Sequence, residues 1–229
     1  MLEKNVTSPI PRPHAMLPAV SSRSRIALLG LALALGACDY ETSHEPSASG
    51  AEIFQLCEQC HGASGEGRRE FNAPAIGGLP QWYVEGQLKK FRSGLRGTHP
   101  ADITGMQMRP MGMSLRSDGD IKTVAAYVSS LERRIPAPIL EGGDAQRGKA
   151  LYATCVACHG PTGAGVEQVK GPPLTHASDW YLLAQLQKFK EGHRGLAGDI
   201  EGATMRPQVA MLPDEQAMKD VVQYIATLK

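Results

Sequence analysis

The sequence predicts an all-α protein made of two tandem copies of one small domain. Three observations carry that prediction. The block Cys57-Glu58-Gln59-Cys60-His61-Gly62 returns 98 residues later as Cys155-Val156-Ala157-Cys158-His159-Gly160, the kind of self-similarity that marks a duplicated unit. Apolar residues recur at helical spacing at the end of each copy: Ile121, Val124, Ala125 and Val128 in the first, Met218, Val221, Val222 and Ile225 in the second. Strand-like alternation is convincing nowhere in the chain.

Composition narrows the function classes. The 229 residues are 42% hydrophobic and 21% charged, the balance of a globular protein. A formal net charge of +1 lacks the basic surplus of a nucleic-acid binder. No apolar run reaches the roughly 18 residues that a membrane-spanning helix needs. Aromatic residues are only 5% of the chain, so a core here has few large rings to fill it.

The N-terminal stretch reads as an export signal. Arg23 and Arg25 precede the apolar run Ile26 to Leu35, and Leu35-Gly36-Ala37-Cys38 follows. A charged segment, a short apolar segment and small residues form the pattern of a cleaved signal peptide. The four-residue end resembles a bacterial lipobox, in which Cys38 is lipidated and becomes the first residue. That reading also accounts for the odd cysteine among five, and multiple acyl chains give stable anchoring. The competing readings are a plain secretory signal cut near Ala37, or a short buried helix. Residues 1–37 are thus a lipoprotein signal peptide, with Met16 an alternative start, and residues 38–50 a polar, aperiodic, lipidated tether.

Two domains follow, at residues 51–134 and 145–229, joined by a linker over residues 135–144 that contains Pro136, Pro138, Gly142 and Gly143. Between Trp82–Gly97 and Trp180–Gly195 nine of sixteen positions are identical. The offset then drops to 97, aligning Met108-Arg109-Pro110 with Met205-Arg206-Pro207. Each copy reads as about three helices. One leads into the cysteines, one runs from about Trp82 to Phe91, and one closes the copy behind Ser117 or Asp214 as N-cap. A domain this small holds too little apolar material to be comfortable alone, so something large and apolar is expected inside it.

The chemistry sits in Cys-x-x-Cys-His. Cysteine pairs at this spacing serve redox disulfides, zinc sites or haem attachment, and a histidine directly after the second cysteine is the c-type haem signature. Cys57 and Cys60, like Cys155 and Cys158, would bind the two vinyl groups on one haem edge, placing His61 and His159 under the iron. A redox disulfide lacks its βαβ context here. Zinc would need the two pairs to converge on one ion or recruit added ligands. Two covalently bound c-type haems are therefore expected.

A histidine–methionine pair would close each iron as an electron-transferring centre. Met106, Met108, Met111 and Met113 are read as lying in one loop, and only Met108 has a methionine counterpart, Met205. Those two are the candidate axial ligands. Met106, Met111, Met113, Met211 and Met218 read as core filler. Pro74 and Pro172 align after the attachment sites, where a carbonyl would orient the histidine through its other ring nitrogen, with simple loop punctuation as the competing reading. Trp82, Tyr83, Trp180 and Tyr181 suit either haem propionates or helix packing. His14, His44, His99, His176 and His193 have no counterpart between the copies and read as surface residues. Arg68, Arg69, Lys89, Lys90, Arg92 and Arg96 are candidates for a basic face on the first domain that steers a redox partner, or for an ordinary solvated face.

These motifs, in order and twice over residues 50–229, resemble the dihaem cytochrome c4 group of tandem class I cytochrome c domains. The resemblance covers both Cys-x-x-Cys-His motifs, the block from Trp82 to Gly97 with its repeat, and the segment from Met-Arg-Pro to the last helix. It implies two helical domains packed with their haems near the interface, with His61 and Met108 on one iron and His159 and Met205 on the other. It also implies a periplasmic or membrane-tethered electron carrier. The lipobox, atypical of the soluble members, points to a lipid-anchored one working between a quinol-oxidising complex or dehydrogenase and a terminal oxidase or reductase. Neither a small-molecule substrate nor nucleic acid is expected as a partner. The alternatives are a permanent dihaem subunit of an oxidase or dehydrogenase complex, and a dihaem peroxidase. The last needs an open iron and distal acid–base groups, which the retained methionines oppose.

Overall fold

The structure is a computed structural model that describes residues 45–134 and 137–228. The signal peptide with Cys38, Met16, His14, His44 and Pro136 lie outside the described residues. In the first copy the helices are α1 (Gly50–His61), α2 (Gln81–Ser93), α3 (Ile103–Ser114) and α4 (Asp118–Ser130). In the second they are α5 (Ala145–Tyr152), α6 (Val156–His159), α7 (Asp179–Lys190), α8 (Ile200–Ala210) and α9 (Glu215–Ala226). Single 3₁₀ turns occupy Arg69–Phe71 and Glu167–Val169. No strand forms among the described residues, only the equivalent isolated bridges Arg68–Ala73 and Val166–Gly171. The all-α tandem architecture is as the sequence predicts.

The first copy has one helix more than expected and the second has two, because its first helix is broken into α5 and α6. The Met-Arg-Pro segments, read as loops, lie inside α3 and α8, with Pro110 and Pro207 in the helix interior. Proline there lacks the N–H that would bond the carbonyl four residues back. What secures these helices is their start: Asp102 accepts from the Gly105 N–H and Asp199 from the Gly202 N–H, each at 3.0 Å. Such side-chain caps satisfy donors that the helix itself leaves open. The turn before each helix is close-packed against it. A Cβ at Gly97 (φ +79) would lie 2.3 Å from the Gly105 carbonyl oxygen, and one at Gly195 (φ +75) 2.4 Å from that of Gly202. Only glycine allows both the backbone angle and the approach.

The first helix and the last cross in both copies. A Cβ at Gly50 would lie 2.6 Å from the Tyr127 Cβ, and one at Gly148 1.9 Å from the Asp220 carbonyl oxygen. The crossing brings Phe54 against Tyr127 and Tyr152 against Tyr224, with ring centroids 5.3 and 5.4 Å apart. Behind it lie two small cores. Phe54, Leu115, Ile121, Val124 and Val128 form one, and Tyr152, Leu182, Leu212, Met218, Val221, Val222 and Ile225 belong to the other. Ser117 and Asp214 cap α4 and α9, as the sequence indicates.

Two local departures have clear causes. The helix entering the first motif is continuous, whereas its counterpart breaks into α5 and α6. Thr154 stands there, and its hydroxyl bonds the Leu151 carbonyl at 3.2 Å, competing with the helical ladder. Glu45 to Ser49, counted with the tether, lie against α4: the Ser47 N–H donates to Asp120 at 2.6 Å and the Ser117 hydroxyl to the Glu45 carbonyl at 3.0 Å. On the other side of the linker, the Ile139 and Leu140 N–H groups both donate to Asp179, at the start of α7.

Candidate haem sites and the seam between the copies

Cys57, Cys60 and His61 stand at helix positions i, i+3 and i+4 on α1, so they share one side of it. Cys57 is half-buried and Cys60 exposed, while Cys155 and Cys158 are both half-buried, and all four thiols are free of disulfides. Burial pushes the Cys57 thiol up to about 11 and raises that of Cys155. Both are therefore protonated at neutral pH, unlike the lowered thiol of a disulfide-exchange pair. No cluster of three or more metal-ligating His, Cys, Asp or Glu side chains occurs among the described residues.

His61 and His159 are buried, at 5% and 4% exposure. Nδ1 of each lies 2.8 Å from a carbonyl oxygen, that of Pro74 for His61 and of Pro172 for His159. A carbonyl can only accept, so Nδ1 carries the proton and Nε2 presents its lone pair. Burial lowers the pKa of both imidazoles, and the proline carbonyls only partly oppose it. A neutral ring with an orientation fixed from behind is what an iron ligand requires.

Met108 and Met205 are half-buried on α3 and α8. Met218 is in the core, but Met106, Met113 and Met211 are 43%, 52% and 62% exposed and fill nothing. The three described unmatched histidines, His99, His176 and His193, also differ from the surface reading. His99 and His193 stack at 4.3 Å between centroids. His176 is half-buried, and burial together with Arg133 lowers its pKa.

The repeated block from Trp82 to Gly97 forms the seam between the copies, and its contacts come in equivalent pairs. Arg96 donates to Gln87 in its own copy at 2.6 Å and to Gln185 and the Tyr181 hydroxyl across the seam, each at 3.1 Å. Arg194 donates to Gln185 at 2.9 Å and to Gln87 across the seam at 3.0 Å. Each guanidinium also lies over the phenylalanine of its own copy, 4.5 Å from the Phe91 or Phe189 centroid. Outside this centre Lys90 pairs with Asp199 and Glu201, and Lys188 with Asp102. Arg69 covers Trp180 and Lys170 covers Trp82.

The basic face expected on the first domain is therefore largely spent. Arg96 and Lys90 are engaged across the seam, Arg69 lies on Trp180, and Lys89 and Arg92 pair with Asp118. The seam residues Gln87, Arg96 and Asp102 with their repeats were not singled out for this role by sequence reasoning. Identity between the copies was the available signal, since a surface shared by two packed repeats constrains both.

The residues suit haem. Arg96 and Arg194 are always charged, yet the hydrogen bonds above go to neutral oxygens, and both Nε atoms are buried without a partner. Buried cations call for anions, which haem carboxylates would supply. The sequence profile of the cytochrome c family matches residues 47–132 and 145–229. This chain is a member of the cytochrome c family.

Its relatives align over most of this chain. A thiosulfate dehydrogenase electron acceptor from Thiomonas intermedia is 32% identical over 74% of this chain and 77% of its own. Cytochrome c4 from Pseudomonas stutzeri matches with a TM-score of 0.63 and 28% identity, over 77% of this chain and 95% of that one. Thiosulfate dehydrogenase TsdBA from Marichromatium purpuratum matches with a TM-score of 0.63 and 31% identity. That match takes in 78% of this chain and 39% of that longer one. The protein is thus a dihaem, cytochrome c4-like electron carrier with one haem bound covalently through Cys57 and Cys60 and one through Cys155 and Cys158. Class I cytochromes c are typically periplasmic, and no described helix is long and apolar enough to cross a membrane.

Proposed function

We propose that this cytochrome is a lipid-tethered periplasmic carrier. It takes electrons from a dehydrogenase or quinol-oxidising complex and passes them to a terminal oxidase or reductase. His61 and Met108 hold one iron and His159 and Met205 the other, and Cys38 carries the lipid. Haem supplies the one-electron chemistry when bound, and the protein sets its potential through ligand, burial and hydrogen bonding. No substrate is transformed by the protein itself. The observation that carries the reading is the pair of buried histidines, each fixed through Nδ1 by a proline carbonyl so that Nε2 is free for iron. Arg96 and Arg194 would receive the haem propionates. The name of the Thiomonas relative supports a dehydrogenase as donor.

Permanent attachment to such a dehydrogenase is the second reading. It is favoured by the TsdBA chain, in which the matched region occupies 39% of a longer polypeptide. Purification from detergent-solubilised membranes separates the two: a partner-free monomer supports the mobile carrier.

The ligand assignment is tested by the optical spectrum of the ferrous holoprotein with and without carbon monoxide. An unchanged low-spin spectrum is expected, both irons being closed by methionine. A shift in half or all of the haem overturns that assignment for the iron concerned and reopens the peroxidase-type alternative.

A further inference from the structure

The helix carrying each methionine begins on an aspartate that the other copy holds. Asp102 caps α3, six residues before Met108, and Asp199 caps α8, six residues before Met205. Both aspartates are 1% exposed. Lys188, on α7 of the second copy, reaches the Asp102 carboxylate at 2.5 Å and the Thr104 hydroxyl at 2.5 Å. Lys90, on α2 of the first copy, pairs with Asp199 and, at 2.8 Å, with Glu201. The two lysine side chains are only 13% and 15% exposed. The contacts exchange under the internal repeat, Lys90 for Lys188 and Asp102 for Asp199.

We infer that Lys90 and Lys188 are positioning residues for iron ligation in the opposite copy: Lys90 for Met205 and Lys188 for Met108. The inference rests on those methionines being the axial ligands. A thioether is an uncharged ligand, so its hold on iron depends on how firmly its helix presents it. Each methionine lies between a capped N-terminus and a proline that lacks one ladder hydrogen bond, which leaves the cap as the principal anchor of the first turns. A cap carboxylate bonded to a lysine has one orientation, with an oxygen aimed at the helix N–H. Without the lysine, a buried carboxylate is left unpaired, a costly state that it relieves by turning toward water and releasing the cap. Each haem's methionine is thereby made sensitive to the docking of the other domain, and thermodynamic linkage makes that coupling reciprocal.

The test uses the full-length holoprotein in two backgrounds, Met108→His and Met205→His. Each leaves a single methionine-ligated haem, reported by the far-red sulfur-to-iron charge-transfer band of the ferric form. If neither substitution removes part of that band, the ligand assignment itself has failed, and the inference with it. Otherwise imidazole is titrated against the ferric haem as a competitor for methionine. In the Met108→His background, Lys90→Met should raise imidazole affinity at the Met205 haem by roughly fivefold or more, the lower end of intersite coupling. In the Met205→His background it should leave the Met108 haem unchanged. Lys188→Met should show the converse, and Lys90→Arg, which keeps the cation, should retain native affinity. Asp199→Ala removes the cap itself while Lys90 keeps its pair with Glu201, so it serves should Lys90→Met fail to fold; it should also loosen the Met205 haem alone. Equal effects on both haems, an effect confined to the lysine's own copy, or no effect at all would overturn the inference.

Discussion

Arg96 and Arg194 meet at the seam between the two copies and share the side-chain oxygens of Gln87 and Gln185. Each glutamine thus accepts from one guanidinium of each domain. Gln87→Leu removes two charge-assisted bonds, each contributing about 1.5–3 kcal/mol. Urea unfolding of the holoprotein should show a loss of about 3 kcal/mol or more, and separation of the domains before either unfolds. A loss within error would mean that the seam is held by its outer ion pairs instead.

Two glycines in helices should respond to alanine in opposite directions. Alanine is the better helix former by about 1 kcal/mol. Gly86, within α2, has nothing within 4 Å of an added Cβ, so Gly86→Ala should stabilise the first domain by about 0.5–1 kcal/mol. Gly148, where α5 crosses α9, would place that Cβ 1.9 Å from the Asp220 carbonyl oxygen. Gly148→Ala should destabilise by about 1–3 kcal/mol, as overpacking does. Thermal melts followed at the haem absorption and in the far ultraviolet would check both signs.

Asp220 gives the second domain an acid-sensitive joint. Its carboxylate accepts from Arg147 at 2.8 Å, and also from the Asp144 N–H and Gln216. The Arg147 hydrogen bond, the largest cause, holds the Asp220 pKa at about 2 against an ordinary 3.8. A carboxyl lowered on folding contributes stability above its unfolded value and loses it as pH falls toward the folded one. Its share is thus complete above about pH 4 and disappears between about pH 4 and pH 2. Denaturant midpoints for Asp220→Asn should be lower than native at neutral pH and should converge with native at about pH 2.

Cys38→Ser should move the protein from the membrane to the soluble periplasmic fraction while leaving both haems attached. Fractionation followed by haem staining reads this directly. Retention in the membrane would mean that something other than a lipid on this residue holds it there.

The duplication, the two haem-attachment motifs and the last helix of each copy were legible in the sequence because each is a local pattern. Cys-x-x-Cys-His lies within one helix end, and the spacing of Ile121, Val124, Ala125 and Val128 shows one helix's buried face directly. The proline-bearing helices α3 and α8 were not legible, since proline speaks against a helix locally. Their aspartate caps and the close approach at Gly97 and Gly195 decide the matter. Tertiary structure alone decided which charges are free. Lys90 and Arg96 look like solvent-facing cations along the chain, yet their acceptors Asp199 and Gln185 lie 109 and 89 residues away. No sequence periodicity links partners that distant. Packing one copy against its repeat turns an apparent basic face into a seam and brings the anchor of each methionine's helix under the other domain's hold.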